Sequence, residues 1–351
     1  MKCNKSQNIL NAVIIIIFIK LFFLSYHNFY SHILPWGMDA AMYDSFAQSG
    51  NLKGITFWMD ILAYLNVIGL YDRMNITISI QFMSVFIIPL VVAKLILNIT
   101  NDTQLVMFSV LFVSCYPSLY MYSGDIYRDV VMVLIFVILL YLVDIFFRVR
   151  VNGKFLCLIL VLGLFYILFG FRPYLGVALL LAFFSSYFYL FKNIKILLAF
   201  YFMLIIIIHS LGLLDPLLEY RASFGEIDAG STLGIDISNA NVLTVVPLFI
   251  ISYLGQFFGF FIINANSALV FLTESIPVMY MLFKVKFSIL SNQFYRFLFY
   301  FIIIYNTVWV MANDNLGTAT RLRIFSYLGV LILYIGSLAL KYKKDEWKVL
   351  R

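Results

Sequence analysis

Residues 122–147 run YSGDIYRD and then VVMVLIFVILLYLVDIFF, a knot of charge set against a long apolar stretch. At 1.5 Å rise per residue, a helix over Val130 to Phe147 comes close to crossing a hydrocarbon core of roughly 30 Å. Crossing as a helix satisfies the backbone polar groups internally. The charged octet is thereby placed at a membrane rim. Asp125 and Asp129 are four apart with Arg128 between them, so a helix beginning here would carry all three on one face. That face is expected to open onto a reaction chamber.

The whole chain agrees with this start. Apolar residues make up 64% and charged residues 12% of its 351 positions, and the mean hydropathy is +0.99. Charged residues alone reach about a quarter of a soluble domain, so that class is excluded. An all-α, polytopic integral membrane protein is the expectation. The first apolar run, Ile9 to Phe29, has the length of a span and lacks a small-residue cleavage site after it, which favours an uncleaved first span over a signal peptide. Cys3, Cys115 and Cys157 offer neither an outer disulfide nor a metal cluster.

Hydropathy and the positive-inside rule give about ten spans: 9–29, 75–97, 104–122, 130–147, 155–171, 173–191, 196–213, 267–283, 297–312 and 324–340. Both termini are then cytoplasmic. The basic clusters fall on that side: Lys2 and Lys5; Arg148, Arg150 and Lys154; Lys192 and Lys195; Lys284, Lys286 and Arg296; and the tail from Lys341 to Arg351. Residues 1–351 form a single transmembrane domain in this scheme, with outer loops over 30–74 and 214–243. Segment 244–263 is interrupted by Pro247, Gly255 and Gly259, and a span there would invert Lys284 to Lys286. It is expected to be an amphipathic or re-entrant surface helix.

The outer side then holds Arg73, Arg128, Arg172, Arg221, Arg321 and Arg323 against one lysine, Lys53. Outward cations oppose the usual topology signal and need another reason. The guanidinium fork binds phosphate bidentately and stays charged. Arg128, Arg172, Arg321 and Arg323 stand where helices enter the membrane. A cation there works against the helix dipole, costing roughly 0.3–1 kcal/mol, whereas an anion is welcome at such an end. An anionic lipid phosphate would reverse the balance. The plainer alternative pairs Arg128 with Asp125 or Asp129, Arg321 and Arg323 with Asp314, and Arg221 with Glu219 or Glu226. Arg172 has no close partner in sequence, which makes it the foremost ligand contact.

Among the acids, Asp39 is the leading base, one turn before Tyr43 and among aromatic neighbours, with helix capping as its alternative role. Glu226 and Asp228 form an E-x-D without a third metal ligand. Glu274 lies inside an apolar span, where a carboxylate is expensive. His27, His32 and His209 have no metal spacing. The 214–243 segment, acidic and rich in glycine and serine, looks like a mobile polar loop.

The runs PSLYMYSGDIYRDVVM (117–132), FRPY (171–174) and NDNLGTATRLR (313–323), with VPL at 246–248 and ESIP at 274–277, resemble bacterial O-antigen and capsular polysaccharide repeat-unit polymerases. The loop GMDAAMY (37–43) is similar to the first-loop acidic pattern of polytopic glycosyltransferases using lipid-phosphate sugars, although it lacks a paired acid. The resemblance implies a GT-C-like fold in the bacterial inner membrane. It implies transfer of a growing glycan from undecaprenyl diphosphate to an incoming lipid-linked repeat unit on the periplasmic face. No metal or cofactor is expected. Arg128, Arg172, Arg321 and Arg323, with Arg221, Tyr43 and Asp125, would bind substrate, and Asp39 or Asp129 would take the acceptor proton. The partners implied are the lipid-linked donor and acceptor and a chain-length regulator, and no nucleic acid. Two rivals share much of this pattern: a transferase adding one sugar from a polyprenyl phosphate, and a flippase or transporter, which predicts charges deep in several spans.

Overall fold

A computed structural model describes residues 2–31, 38–149, 151–188, 194–226, 232–237, 240–262 and 264–349. The fold is all-helical, with no strand among the described residues. Among the described residues, seven helices are long and apolar enough to cross a membrane: Leu10–Phe29, Arg73–Thr100, Arg128–Arg148, Gly153–Phe171, Ser267–Lys284, Gln293–Ala312 and Leu316–Lys341. An eighth candidate is the pair Ile196–Ser210 and Asp215–Ala222, bent by 80°. This is the architecture of a polytopic membrane protein. The chain packs as two compact units, residues 1–177 with 334–351, and residues 178–333.

The first unit begins with α1 (Lys2–Tyr26), α2 (Met38–Ser49), α3 (Phe57–Val67), α4 (Arg73–Phe82) and α5 (Ile88–Thr100). It continues with α6 (Thr103–Ser114), α7 (Pro117–Met121), α8 (Arg128–Arg148) and α9 (Val151–Phe171). Local chemistry sets the boundaries. Asp72 and Asp102 accept hydrogen bonds from the first free amides of α4 and α6, while Asn101, at φ 53°, ends α5 in the left-handed region. Between α4 and α5 lies a π turn, Met83–Ile87, directly before Pro89. The proline ring would strike the carbonyl four residues back, Val85, and the widened turn carries that carbonyl clear without breaking the span.

Two polar ends define this unit. At one, His27, Arg73, the 122–129 segment and Phe171 meet; at the other, Asn98 donates to Asp144 at 2.7 Å and Arg148 donates to the Asn98 carbonyl at 2.7 Å. Residues 104–122, expected as one span, are α6 and α7 separated at Cys115 and Tyr116. Pro117, which has no N–H, opens the second piece. Each piece is shorter than a membrane crossing, but together they lead from one polar end to the other.

The second unit holds α11 (Ile194–Ser210), α12 (Asp215–Glu226), α13 (Val245–Gln256), α14 (Ala265–Val270), α15 (Ile276–Lys284) and α16 (Gln293–Ala312). α10 (Pro173–Ser185) leads into it, and α17 (Leu316–Val349) leaves it. The expected span 173–191 is shorter than proposed, since α10 stops at Ser185. The loop proposed over 214–243 is a helix in its first half, while Asp228 lies outside the described residues. A second π turn, Phe271–Ser275, precedes Pro277 in the same way as the first precedes Pro89.

The segment 244–263, expected as an amphipathic or re-entrant surface helix, contains one short helix among its described residues. α13 is a twelve-residue apolar helix whose polar side chains, Ser252 and Gln256, are buried, while Ile250, Ile251 and Leu254 are exposed. Its polar face packs on α16, and its twelve residues are fewer than a membrane crossing needs.

Candidate functional site

The 122–129 segment forms a bridge across the polar end of the first unit. Its backbone is held from two sides: the Gly124 carbonyl meets His27 Nε2 at 3.1 Å, and the Ile126 carbonyl accepts from Trp58 Nε1 at 2.8 Å. The helix begins only at Arg128, so Asp125 and Asp129 do not share the face that their spacing suggested. Asp125 sits before the helix and turns one way, while Asp129 lies in its first turn and turns the other.

On the Asp125 side, Arg73 grips the carboxylate bidentately, Nε to Oδ1 at 3.0 Å and Nη2 to Oδ2 at 2.6 Å. Its third nitrogen reaches Asp44 Oδ2 at 3.1 Å, and the Tyr71 hydroxyl donates to Asp44 Oδ1 at 2.6 Å. Burial, followed by that hydrogen bond, pushes the Tyr71 hydroxyl above the usual tyrosine range, so it remains a donor. A cleft of about 260 Å³ opens here, lined by His27, Asn28, Asp72, Arg73, Thr77 and Asp125 among others.

On the Asp129 side, Arg172 Nη2 donates to Asp129 Oδ1 at 2.8 Å, with side chains only 4% and 1% exposed. Arg172 sits between the end of α9 and Pro173, the first residue of α10, as its sequence suggested. The residue singled out for lacking a partner thus has one 43 positions away. Arg128 is the contrasting case. Its Nη1 donates to the Phe171 carbonyl at 2.9 Å, and among the described residues no carboxylate pairs with it and its buried Nε has no acceptor. Tyr43, Tyr174, Arg172 and Asp129 all lie within its electrostatic reach. Phe171 closes α9, so the Arg128 charge, unfavourably placed at the start of its own helix, lies at the favourable end of another.

The α2–α3 hairpin covers this end. Tyr43 is buried, and Asp39 lies half-buried in the first turn of α2, the end where a carboxylate is favoured by the helix dipole. Phe57 packs edge-on to Phe171 with ring centroids 5.6 Å apart.

The second unit has its own charged centres. All three Arg221 nitrogens are spent on the protein: Nε and Nη2 on the Ile235 carbonyl, Nη2 also on Asp314, and Nη1 on Ser252 and the carbonyls of Val310 and Asn313. Alongside, the Gln256 amide donates to the Asn313 backbone carbonyl at 2.8 Å, and the Asn313 amide donates to Gln256 Oε1 at 2.6 Å. Arg221 is therefore an internal clamp that pins the α16–α17 turn. Burial raises the Asp314 carboxyl, with Arg221 opposing it.

Asp314 is thus held by Arg221, and Arg323 finds its carboxylate elsewhere. Its Nη2 meets Glu274 Oε2 at 3.2 Å inside the unit, and its guanidinium lies 5.3 Å from the Tyr327 ring. α17 starts at Leu316, so Arg321 and Arg323 lie beyond its first turn and the dipole argument does not apply to them. His209 meets the Ala240 carbonyl at 2.9 Å.

The Arg73–Asp44–Tyr71 cluster escaped the sequence reading because its members are far apart in the chain; the signal was present in Arg73 as an outward cation. Lys20 was also passed over, although a lysine in the middle of the first apolar run is visible by inspection. Among the described residues, no three His, Cys, Asp or Glu side chains come together as metal ligands. The chain matches no protein-family model, and no curated protein or solved structure shows significant similarity to it.

Proposed function

We propose that this chain is a membrane glycosyltransferase that polymerises undecaprenyl-diphosphate-linked oligosaccharide repeat units on the periplasmic face, in O-antigen or capsule synthesis. The observation that supports this reading is Arg128, a guanidinium beside Arg172 whose only hydrogen-bond acceptor among the described residues is a neutral carbonyl. A diphosphate leaving group is the anion such a fork would neutralise, and stabilising developing charge is commonly the largest catalytic term. Asp129 is engaged by Arg172, so the role of accepting the acceptor's proton is assigned to Asp39. Arg221 and Arg323, which donate to the protein itself, act as supports in this scheme rather than as substrate contacts.

Deletion with complementation tests the proposal, reading surface polysaccharide on a gel. Loss of the ladder with a retained single-repeat band is expected. A ladder that persists overturns polymerisation, a product one sugar short indicates a single-sugar transferase, and loss of all surface glycan indicates export.

A further inference from the structure

Lys20 lies near the middle of the first membrane-length helix, Leu10–Phe29, and only 9% of it is exposed. Its ammonium is buried without a hydrogen-bond acceptor among the described residues. An uncompensated charge inside a membrane is expensive and marks a site. One contact nevertheless favours the charged form: the Nζ stands 5.4 Å from the Tyr120 ring centroid, and Tyr120 in turn donates to the Lys20 carbonyl at 3.4 Å. Cys115, the residue that closes α6, is within electrostatic range of the ammonium.

The neighbouring residue adds a second unsatisfied group. Ser114 is 2% exposed and its hydroxyl has no partner among the described residues. Serines and threonines elsewhere in these helices return their hydroxyls to a carbonyl of the preceding turn, as Thr77, Thr100 and Ser109 do. A lysine with three donors and a serine with one are thus buried where α1 packs on the α6–α7 break. Every one of these groups can donate, and among the described residues no carboxylate is paired with the ammonium.

We propose that Lys20, with the Ser114 hydroxyl, binds a small inorganic anion of the chloride class within the membrane span. The anion supplies the counter-charge that the protein does not, and locks α1 against the break between α6 and α7. The site is separate from the Arg128 side chain and does not depend on the glycosyltransferase reading.

The test is thermal unfolding of the full-length protein in a neutral detergent, with sodium chloride exchanged for sodium gluconate at constant ionic strength. Anion binding to the folded state raises the midpoint with chloride concentration. The wild type and Lys20→Arg should show that rise, Lys20→Met should lose it, and Ser114→Ala should need several-fold more chloride for the same shift. A wild type indifferent to chloride overturns the proposal, as does a Lys20→Met protein with the wild-type response. Stabilisation by added phosphatidylglycerol without a chloride response also overturns it, because the site would then take a lipid headgroup. Should Lys20→Met fail to accumulate, chloride-35 line broadening decides: broadening by wild type that weakens in Ser114→Ala supports the site, and its absence refutes it.

Discussion

Arg172 and Arg128 are chemically identical and differ in what removing them leaves behind. Arg172→Met strands the buried Asp129 carboxylate, and breaking one partner of such a pair costs about 3–5 kcal/mol. A strongly lowered unfolding midpoint is expected, and a simultaneous Asp129→Leu change should recover much of it. Arg128→Gln removes a charge that no carboxylate holds, and the amide can still donate to the Phe171 carbonyl. That variant is expected to accumulate normally, unfold near the wild-type temperature, and lose the polysaccharide ladder. A full ladder from Arg128→Gln would remove this arginine from the site. The sequence supplied both arginines but paired neither correctly: it looked within a few residues, whereas Asp129 and Arg172, like Glu274 and Arg323, meet only through packing.

At the scale of elements, the prolines and caps could be read directly. Pro117 and Pro173 open helices, while Pro89 and Pro277 follow π turns that keep their spans continuous. The second π turn carries Glu274, which faces Arg323, while Gly259 approaches the same group from the other side. A Cβ on Gly259 would lie 3.0 Å from Arg323 Nη1 and 3.1 Å from Ser275 Oγ, at φ +70°. Gly259→Ala should therefore destabilise by more than the roughly 1–2 kcal/mol of left-handed strain alone. Gly234→Ala, at φ +67° with nothing within 4 Å, should show only the strain. Equal shifts in the unfolding midpoint would mean that the Gly259 contact is unimportant. That the polar side chains of α13 face a neighbouring helix was not legible, because an apolar segment with a few polar residues reads alike whichever way those residues point.

For the molecule as a whole, the first unit makes a topological prediction. The α2–α3 hairpin is tied to the 122–129 bridge through Trp58, and Asn101 follows the Asn98–Asp144–Arg148 cluster at the opposite end. In a chain with its natural cysteines replaced, Asn51→Cys should react with an impermeant maleimide added outside. Asn101→Cys should react only after permeabilisation. Labelling of both from one side would contradict this arrangement. The sequence by itself determined the helical class, the membrane-length runs and the places where helices start, because hydropathy, proline and capping residues act within a turn or two of themselves. Only the tertiary structure decided which charges are paired and which donor, on Lys20 or Arg128, has no carboxylate. The physical reason is that an ion pair depends on distance in space, and helices that cross and return bring together residues far apart in the chain.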